Sequence, residues 1–458
     1  MGTFWPAAKR FSGTALVALT VGAALTVAPT SPATAAPTPA NCVAPGPWVG
    51  AWGAPATDSS ARSIPVDPSG NPAVAVDNST VRSVITPTRD GQVLRVRLSN
   101  LFGTEPLTFG GASAAKQTGG ATIAAAVPLL FNGEASVTVP AGADVVSDPT
   151  VLPFAAGESL AISTYVPGSV AVPTRHFAAR QHSYQTATGA GDQTLETGAG
   201  PFLNTTTSRL FVTGMDVRTT GVGAVVAFGD SLTDGYRGSA TPPHYTPESP
   251  TGLDQNVRWP DYLAARINAQ GLPLTVVNAG ITGNTVTMDG TDAPVANPAA
   301  GPSALNRLNR DVLSVPNVST VVLFEGINDL GHGATFEALT QGYQSIIASL
   351  HKRGIRVVQG TITPSGGHDG YDSAEMNLLR LQVNKWIRTS SPADSIVDFD
   401  KVIADPADQS RIRPDLDGGD HLHLNADGYQ LLADTIGLEQ IQNPCSLPSG
   451  SSSWGSAA

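Results

Sequence analysis

Two hydrophobic periods divide the chain. Between residues 46 and 218, apolar positions recur every second residue. Leu94, Val96 and Leu98 alternate with Arg95, Arg97 and Ser99, and Leu160, Ile162 and Thr164 repeat the pattern. A period of two marks a strand with one buried face. Asp90-Gly91, Gly119-Gly120, Asn132-Gly133 and Pro140-Ala141-Gly142 punctuate these runs with residues that accept positive φ cheaply. The segment predicts an antiparallel all-β sandwich or jelly roll. Over residues 219–445 the pattern changes to short apolar runs at 224–228, 274–277, 320–324, 355–361 and 395–399. Helical periodicity lies between them at 259–269, 303–313, 335–352 and 374–389, and a last helix follows Asn425, a good N-cap. Five short strands separated by helices predict a parallel, doubly wound α/β sheet covered on both faces.

The ends read differently. Lys9 and Arg10 precede an apolar run over 15–27, and Ala33-Thr34-Ala35 offers small residues for cleavage, so 1–35 reads as a signal peptide. The run is shorter than the roughly 20 apolar residues a spanning helix needs. The expectation is a secreted, extracellular protein, with a Pro/Ala linker at 36–45, two domains at 46–218 and 219–445, and a disordered tail at 446–458. Loss of Lys9 and Arg10 takes the net charge from -11 to -13. Such an acidic surface disfavours nucleic acid and anionic membranes as partners. No later stretch is apolar enough for stable membrane insertion, and a monomer is expected. Cys42 and Cys445, near opposite ends of the mature chain, are expected to form one disulfide in an oxidising compartment.

Chemistry concentrates in the second region. Val225-Val226-Ala227-Phe228 ends abruptly in Gly229-Asp230-Ser231-Leu232, which delivers a hydroxyl to the carboxyl edge of a sheet, where open α/β folds place ligands. Ser231 is the candidate nucleophile. Alone it is equally a helix cap, and a second such tetrad, Gly157-Glu158-Ser159-Leu160, merely opens an alternating strand. Thr233 stands where a Gly-x-Ser-x-Gly elbow needs its last glycine, which disfavours the α/β-hydrolase arrangement. A serine needs a base, a carboxylate to orient it and donors for an oxyanion. Three later blocks supply those types: Asn278-Ala279-Gly280, Gly326-Ile327-Asn328-Asp329 and Asp420-His421-Leu422-His423.

These four blocks, in this order, resemble the SGNH hydrolases, also called the GDSL lipase/esterase family. The resemblance covers roughly the second half of the chain. It implies a flavodoxin-like three-layer α/β/α fold with Ser231 as nucleophile, His423 as base and Asp420 as its partner. The oxyanion donors it implies are the Ser231 and Gly280 N–H groups and the Asn328 carboxamide, while Asn284 is read as shaping its loop. His423-Leu424-Asn425 departs from the family's His-Pro-Asn by its leucine. His421 and His423 could instead ligate a metal, but no third spaced ligand stands nearby, and no cofactor is implied.

Arg258-Trp259-Pro260-Asp261 and the preceding β-rich region are similar to the branch with xylan-associated acyl esterases. The expected substrate is therefore a small-molecule or polysaccharide ester, with short O-acyl groups on carbohydrate first. Lipid esters are the alternative, and a catalytically inactive carbohydrate-binding protein is the alternative of a different class. Trp48, Trp52, Phe102, Phe109 and Tyr165 are read as sandwich core before sugar-stacking platforms.

Overall fold

The computed structural model describes residues 46–58, 75–170, 173–237, 252–293 and 297–443. The signal segment, the linker, the tail and the Cys42–Cys445 pairing lie outside the described residues. Asn41–Ala458 is one compact unit.

The N-terminal region consists of antiparallel strands, as the period of two requires. One sheet runs in the order Trp48–Gly53, Val212–Arg218, Gly91–Ser99, Thr150–Phe154, with Asp144–Val146 also on Gly91–Ser99. The second is centred on Val76–Ile85, Leu160–Val170 and Gly111–Gly119. Leu94, Val96 and Leu98 point into the shared core with Ile162, while Arg95 and Arg97 face outward. Phe109 and Phe211 meet edge to face at 5.4 Å inside that core, a geometry that adds about 1 kcal/mol to the area they bury. The strand Leu160–Val170 departs from simple alternation, because Ala161 and Ser163 are also buried. Its outer face is closed by the segment around 193–202. Arg82 donates to Ser163 Oγ and to the carbonyls of Gln193 and Glu196, and its guanidinium lies 3.9 Å over Phe202.

The antiparallel strands end at Arg218, and the parallel sheet begins at Gly223. Its order is Leu274–Gly280, Gly223–Gly229, Val318–Phe324, Arg356–Gly360, Ser395–Val397, the flavodoxin-like order with the first strand second. Along the central strand, Val225 and Ala227 enter one apolar cluster with Trp259, Leu263 and Tyr429, while Val226 and Phe228 enter another with Leu339, Ile346 and Val383. Both faces are therefore buried, which is why the strand reads as a continuous apolar run. The helices Trp259–Ala269, Phe336–His351, Ala374–Ser390 and Ala426–Thr435 supply the cover. Asn425 caps the last by accepting from Gly428 N–H at 3.0 Å, as expected.

Two boundaries differ from the pattern. The helix expected at 303–313 is α only over Ala304–Leu308 and widens into a π turn over Asn309–Leu313. The strand expected to reach 399 stops at Val397, because Asp398 accepts from Lys401 N–H and starts the helix Phe399–Ile403.

The two regions meet along the edge strand Leu274–Gly280. Thr88 Oγ1 donates to Val276 O and accepts from Val276 N–H, and Thr275 Oγ1 donates to Gly50 O. A Cβ on Gly53 would lie 2.6 Å from Val277 Cγ1, so the two backbones approach closely only because this residue is glycine. The contact covers a sheet edge that would otherwise be open to pairing.

Candidate active site

Gly229, Gly280 and Phe324 are in register at the carboxyl edge of three adjacent strands. The site is built on that edge. After Gly229 the chain turns at Asp230, whose carboxylate accepts from Leu232 N–H at 2.9 Å and caps the four-residue helix Ser231–Asp234. Only glycine fits where the turn begins, since a Cβ on Gly229 would lie 2.1 Å from Phe324 O.

Ser231 Oγ lies 2.9 Å from His423 Nε2, across 192 positions of sequence, and His423 Nδ1 lies 2.7 Å from Asp420 Oδ2. The second oxygen of Asp420 accepts the N–H groups of Leu422 and His423. Burial alone would push this carboxyl up. The charge and hydrogen bond of His423, together with the two backbone N–H groups, outweigh burial and hold it well below the usual carboxylate range. Nucleophile, base and orienting carboxylate thus form one hydrogen-bonded chain. His421 is turned away: it sits at φ 65°, with Nδ1 2.6 Å from Asp417 Oδ2. Of the two histidines, the one at the Asp-x-x-His spacing is the one beside Ser231 Oγ.

Asn328 sits in the short helix Ile327–Gly331 that follows the strand Val318–Phe324. Its Oδ1 accepts from Tyr371 OH at 2.9 Å and its Nδ2 donates to Asn284 O at 2.8 Å. These two bonds fix which end of the carboxamide is the donor, and Nδ2 carries a second N–H beyond the one given to Asn284. Asp329 accepts from Val286 N–H, Thr287 N–H and Thr287 Oγ1, which ties the same loop down.

Gly280 is a correction. Its N–H donates to Asn278 Oδ1 at 2.8 Å, within its own strand end. A Cβ there would lie 2.3 Å from Asp234 N, so this glycine serves close packing beneath the serine turn rather than donation to an oxyanion. The next glycine, Gly283, adopts φ 81° in a turn closed by Asn284 N–H to Ile281 O. Among the described residues no hydrogen bond engages the Gly283 N–H or the Ser231 N–H. Because Asn328 holds the carbonyl of Asn284, this turn lies beside the carboxamide. The Gly283-Asn284 turn dipeptide was its signal in the sequence.

Other members carry no local motif. Arg307 is fully buried beneath the site, donating to Gly229 O at 2.9 Å, Ala279 O at 2.7 Å and Asn284 Oδ1 at 2.7 Å. It thereby joins the ends of two strands to the loop below Asn328. Beside it, burial pushes Asp230 up to about 7, against the Leu232 N–H, and Asp329 up to about 6, against its backbone and Thr287 hydrogen bonds. Glu325, 3.8 Å from Arg307, is raised well above the usual range by burial. Around the base, the Tyr236 ring lies 4.6 Å from His423, and His368 donates from Nδ1 to Asp420 O at 2.7 Å.

A serine–histidine–aspartate chain with amide groups nearby lies on the carboxyl edge of a doubly wound sheet. Residues 227–431 match the GDSL-like lipase/acylhydrolase family. This part of the chain is a carboxylic ester hydrolase domain. No curated protein matches the chain significantly.

Solved structures are similar at low identity. A member of the lipolytic G-D-S-L family from Veillonella parvula is 18% identical, with 47% of this chain and 96% of that one covered and a TM-score of 0.31. A psychrotrophic esterase from Pseudoalteromonas is 17% identical over 46% and 93% of the two chains, with a TM-score of 0.33. A family two carbohydrate esterase from Clostridium thermocellum is 14% identical over 86% and 96%, with a TM-score of 0.34.

Proposed function

We propose that the protein is a secreted serine esterase that removes short acyl groups from a polar, carbohydrate-type alcohol through an acyl-serine intermediate. The unbroken chain from Asp420 through His423 to Ser231, at 2.7 and 2.9 Å, carries the catalytic part of this reading. Ser231 Oγ attacks the ester carbonyl carbon while His423 Nε2 takes its proton. The carbonyl oxygen becomes an oxyanion facing the second Asn328 Nδ2–H, with the Ser231 and Gly283 N–H groups as further donors. Collapse breaks the bond to the alkoxy oxygen, and His423 returns the proton to the departing alcohol. Water then attacks the acyl carbon, gives its proton to His423, and the acid leaves as Ser231 Oγ is reprotonated. Asp420 stays ionised throughout and stabilises the imidazolium.

The substrate class rests on the lining. Tyr236, His368, Tyr371 and Asn328 gather around the base and the oxyanion position, and all are aromatic or hydrogen-bonding rather than aliphatic. Such walls suit a hydroxylated alcohol and a small acyl group better than a long aliphatic chain. The segment 1–35 supports export.

Hydrolysis of p-nitrophenyl acetate, butyrate, octanoate and palmitate, beside acetylated xylan, tests the reading with wild type and Ser231→Ala. The expected outcome is turnover by wild type alone, fastest on acetyl esters. A preference for octanoate or longer chains overturns the carbohydrate assignment, and silence on every ester overturns the esterase.

A further inference from the structure

The N-terminal β region reaches the catalytic turn through a buried histidine. His176, in the short strand Arg175–His176, has Nε2 3.0 Å from Asp234 Oδ1 and Nδ1 2.9 Å from Pro55 O. Both side chains of the pair are sealed from solvent, at 3% and 2% exposure. Each ring nitrogen faces an oxygen acceptor, so the imidazole is pinned at both ends by its own region and by Asp234.

Asp234 closes the helix that begins with the nucleophile. Its other oxygen accepts from Thr282 N–H at 3.0 Å and Thr282 Oγ1 at 2.7 Å, and Thr282 is the residue before Gly283. Burial would raise this carboxyl, but the charge and hydrogen bond of His176, then Arg258 and Thr282, hold it below its ordinary value. An ionised, dry carboxylate is thus shared between the β region and the oxyanion turn.

A second contact runs parallel. The Arg180 guanidinium lies 4.5 Å over the Tyr236 ring, whose other neighbour is His423 at 4.6 Å. Nucleophile turn, oxyanion turn and general base are therefore all touched, directly or through one residue, from the N-terminal side.

We propose that the β region is an obligate part of the catalytic centre, and that His176 is a positioning residue that sets the oxyanion turn against Ser231 through Asp234 and Thr282. This inference deepens the esterase reading and rests on it. A misplacement of about 1 Å at a reacting group costs on the order of 100-fold in rate, so the relay acts on the transition state rather than on substrate binding.

The test uses the full chain with His176→Ala, His176→Gln, Thr282→Val and the double variant His176→Ala/Thr282→Val, measured on p-nitrophenyl acetate. Wild-type turnover that is lost in Ser231→Ala secures the esterase reading first, so a failure of the relay is seen separately. His176→Ala is expected to lower kcat about 10- to 100-fold with KM within about 3-fold, and His176→Gln, whose amide can still donate to Asp234, recovers most of the loss. Thr282→Val deletes one hydroxyl and leaves packing volume intact. Its kcat loss is expected to add little to that of His176→Ala, because both act through Asp234.

Hydrogen exchange over residues 281–284 supplies a readout independent of turnover, and protection there is expected to fall in His176→Ala. A kcat within 2-fold of wild type in both single variants overturns the proposal. So does unchanged exchange at 281–284 in a folded His176→Ala protein.

Discussion

Asn328 is useful because its carboxamide has been told which way to face. Tyr371 OH occupies Oδ1 and Asn284 O occupies one N–H of Nδ2, so the remaining donor is fixed before substrate arrives. Asn328→Ala is expected to lower kcat on p-nitrophenyl acetate by about 100- to 1,000-fold, the cost of one lost oxyanion donor, and to lower the melting temperature by a few degrees through the two hydrogen bonds lost with it. A loss under 5-fold would remove Asn328 from the oxyanion site. At this scale the sequence was readable where a residue carries its role in a local block. Ser231, Asn328, Asp420 and His423 stand in such blocks, and the fold brings the triad members into hydrogen-bond contact. Gly280 misled for a physical reason. A glycine at a strand end serves equally for donation and for close approach of a neighbouring backbone, and only the Asn278 side chain decides between them. His176 and Tyr371 were illegible, because their roles depend on what lies across the fold rather than beside them in the chain.

The elements behind the site hold it by their ends. The strands Gly223–Gly229 and Leu274–Gly280 present Gly229 O and Ala279 O to one buried guanidinium, Arg307, which the helix Ala304–Leu308 delivers. Asp311 and Glu325 lie 3.3 and 3.8 Å from it. Arg307→Met keeps much of the volume but leaves Glu325 without its cation, whereas Asp311 keeps Arg310. In urea denaturation it is expected to lose on the order of 3 kcal/mol, the usual scale for removing one partner of a buried ion pair. A loss below 1 kcal/mol would show that Arg307 is not the tie. The strands themselves were legible from their apolar runs, since a sheet buried on both faces leaves no polar alternation. Where boundaries moved, a local competitor had won. Asp398 capped a helix that cut a strand short, and a π turn ended the helix Ala304–Leu308 early.

Over the whole molecule, buried acids set the response to pH. Asp230 is ordinarily a group of 3.8 but is held at about 7 in the folded chain, chiefly by burial. Between those values the unfolded chain has lost the proton that the folded one keeps, so stability falls as pH rises from about 4 to 7. Asp329 adds to the fall up to about 6. Asp420 works the other way: its folded value is depressed, so its contribution is present above the ordinary carboxyl range and is lost only in strong acid. Asp230→Asn retains an acceptor for Leu232 N–H, and its melting temperature relative to wild type is expected to rise from pH 4 to pH 8. An equal offset at both pH values would contradict this origin. At this scale the two architectures were legible, whereas their shared seam at Leu274–Gly280 was not, because it is made of glycines and threonines that any loop or strand could contain. The most direct measurement is labelling by a fluorophosphonate, with the adduct mapped by mass spectrometry. The structure predicts one adduct, on Ser231, formed rapidly in wild type and lost when His423 is replaced by Ala, because only a serine activated by its base reacts at a useful rate. Labelling of some other residue, or labelling of Ser231 at the same rate without His423, would contradict the esterase.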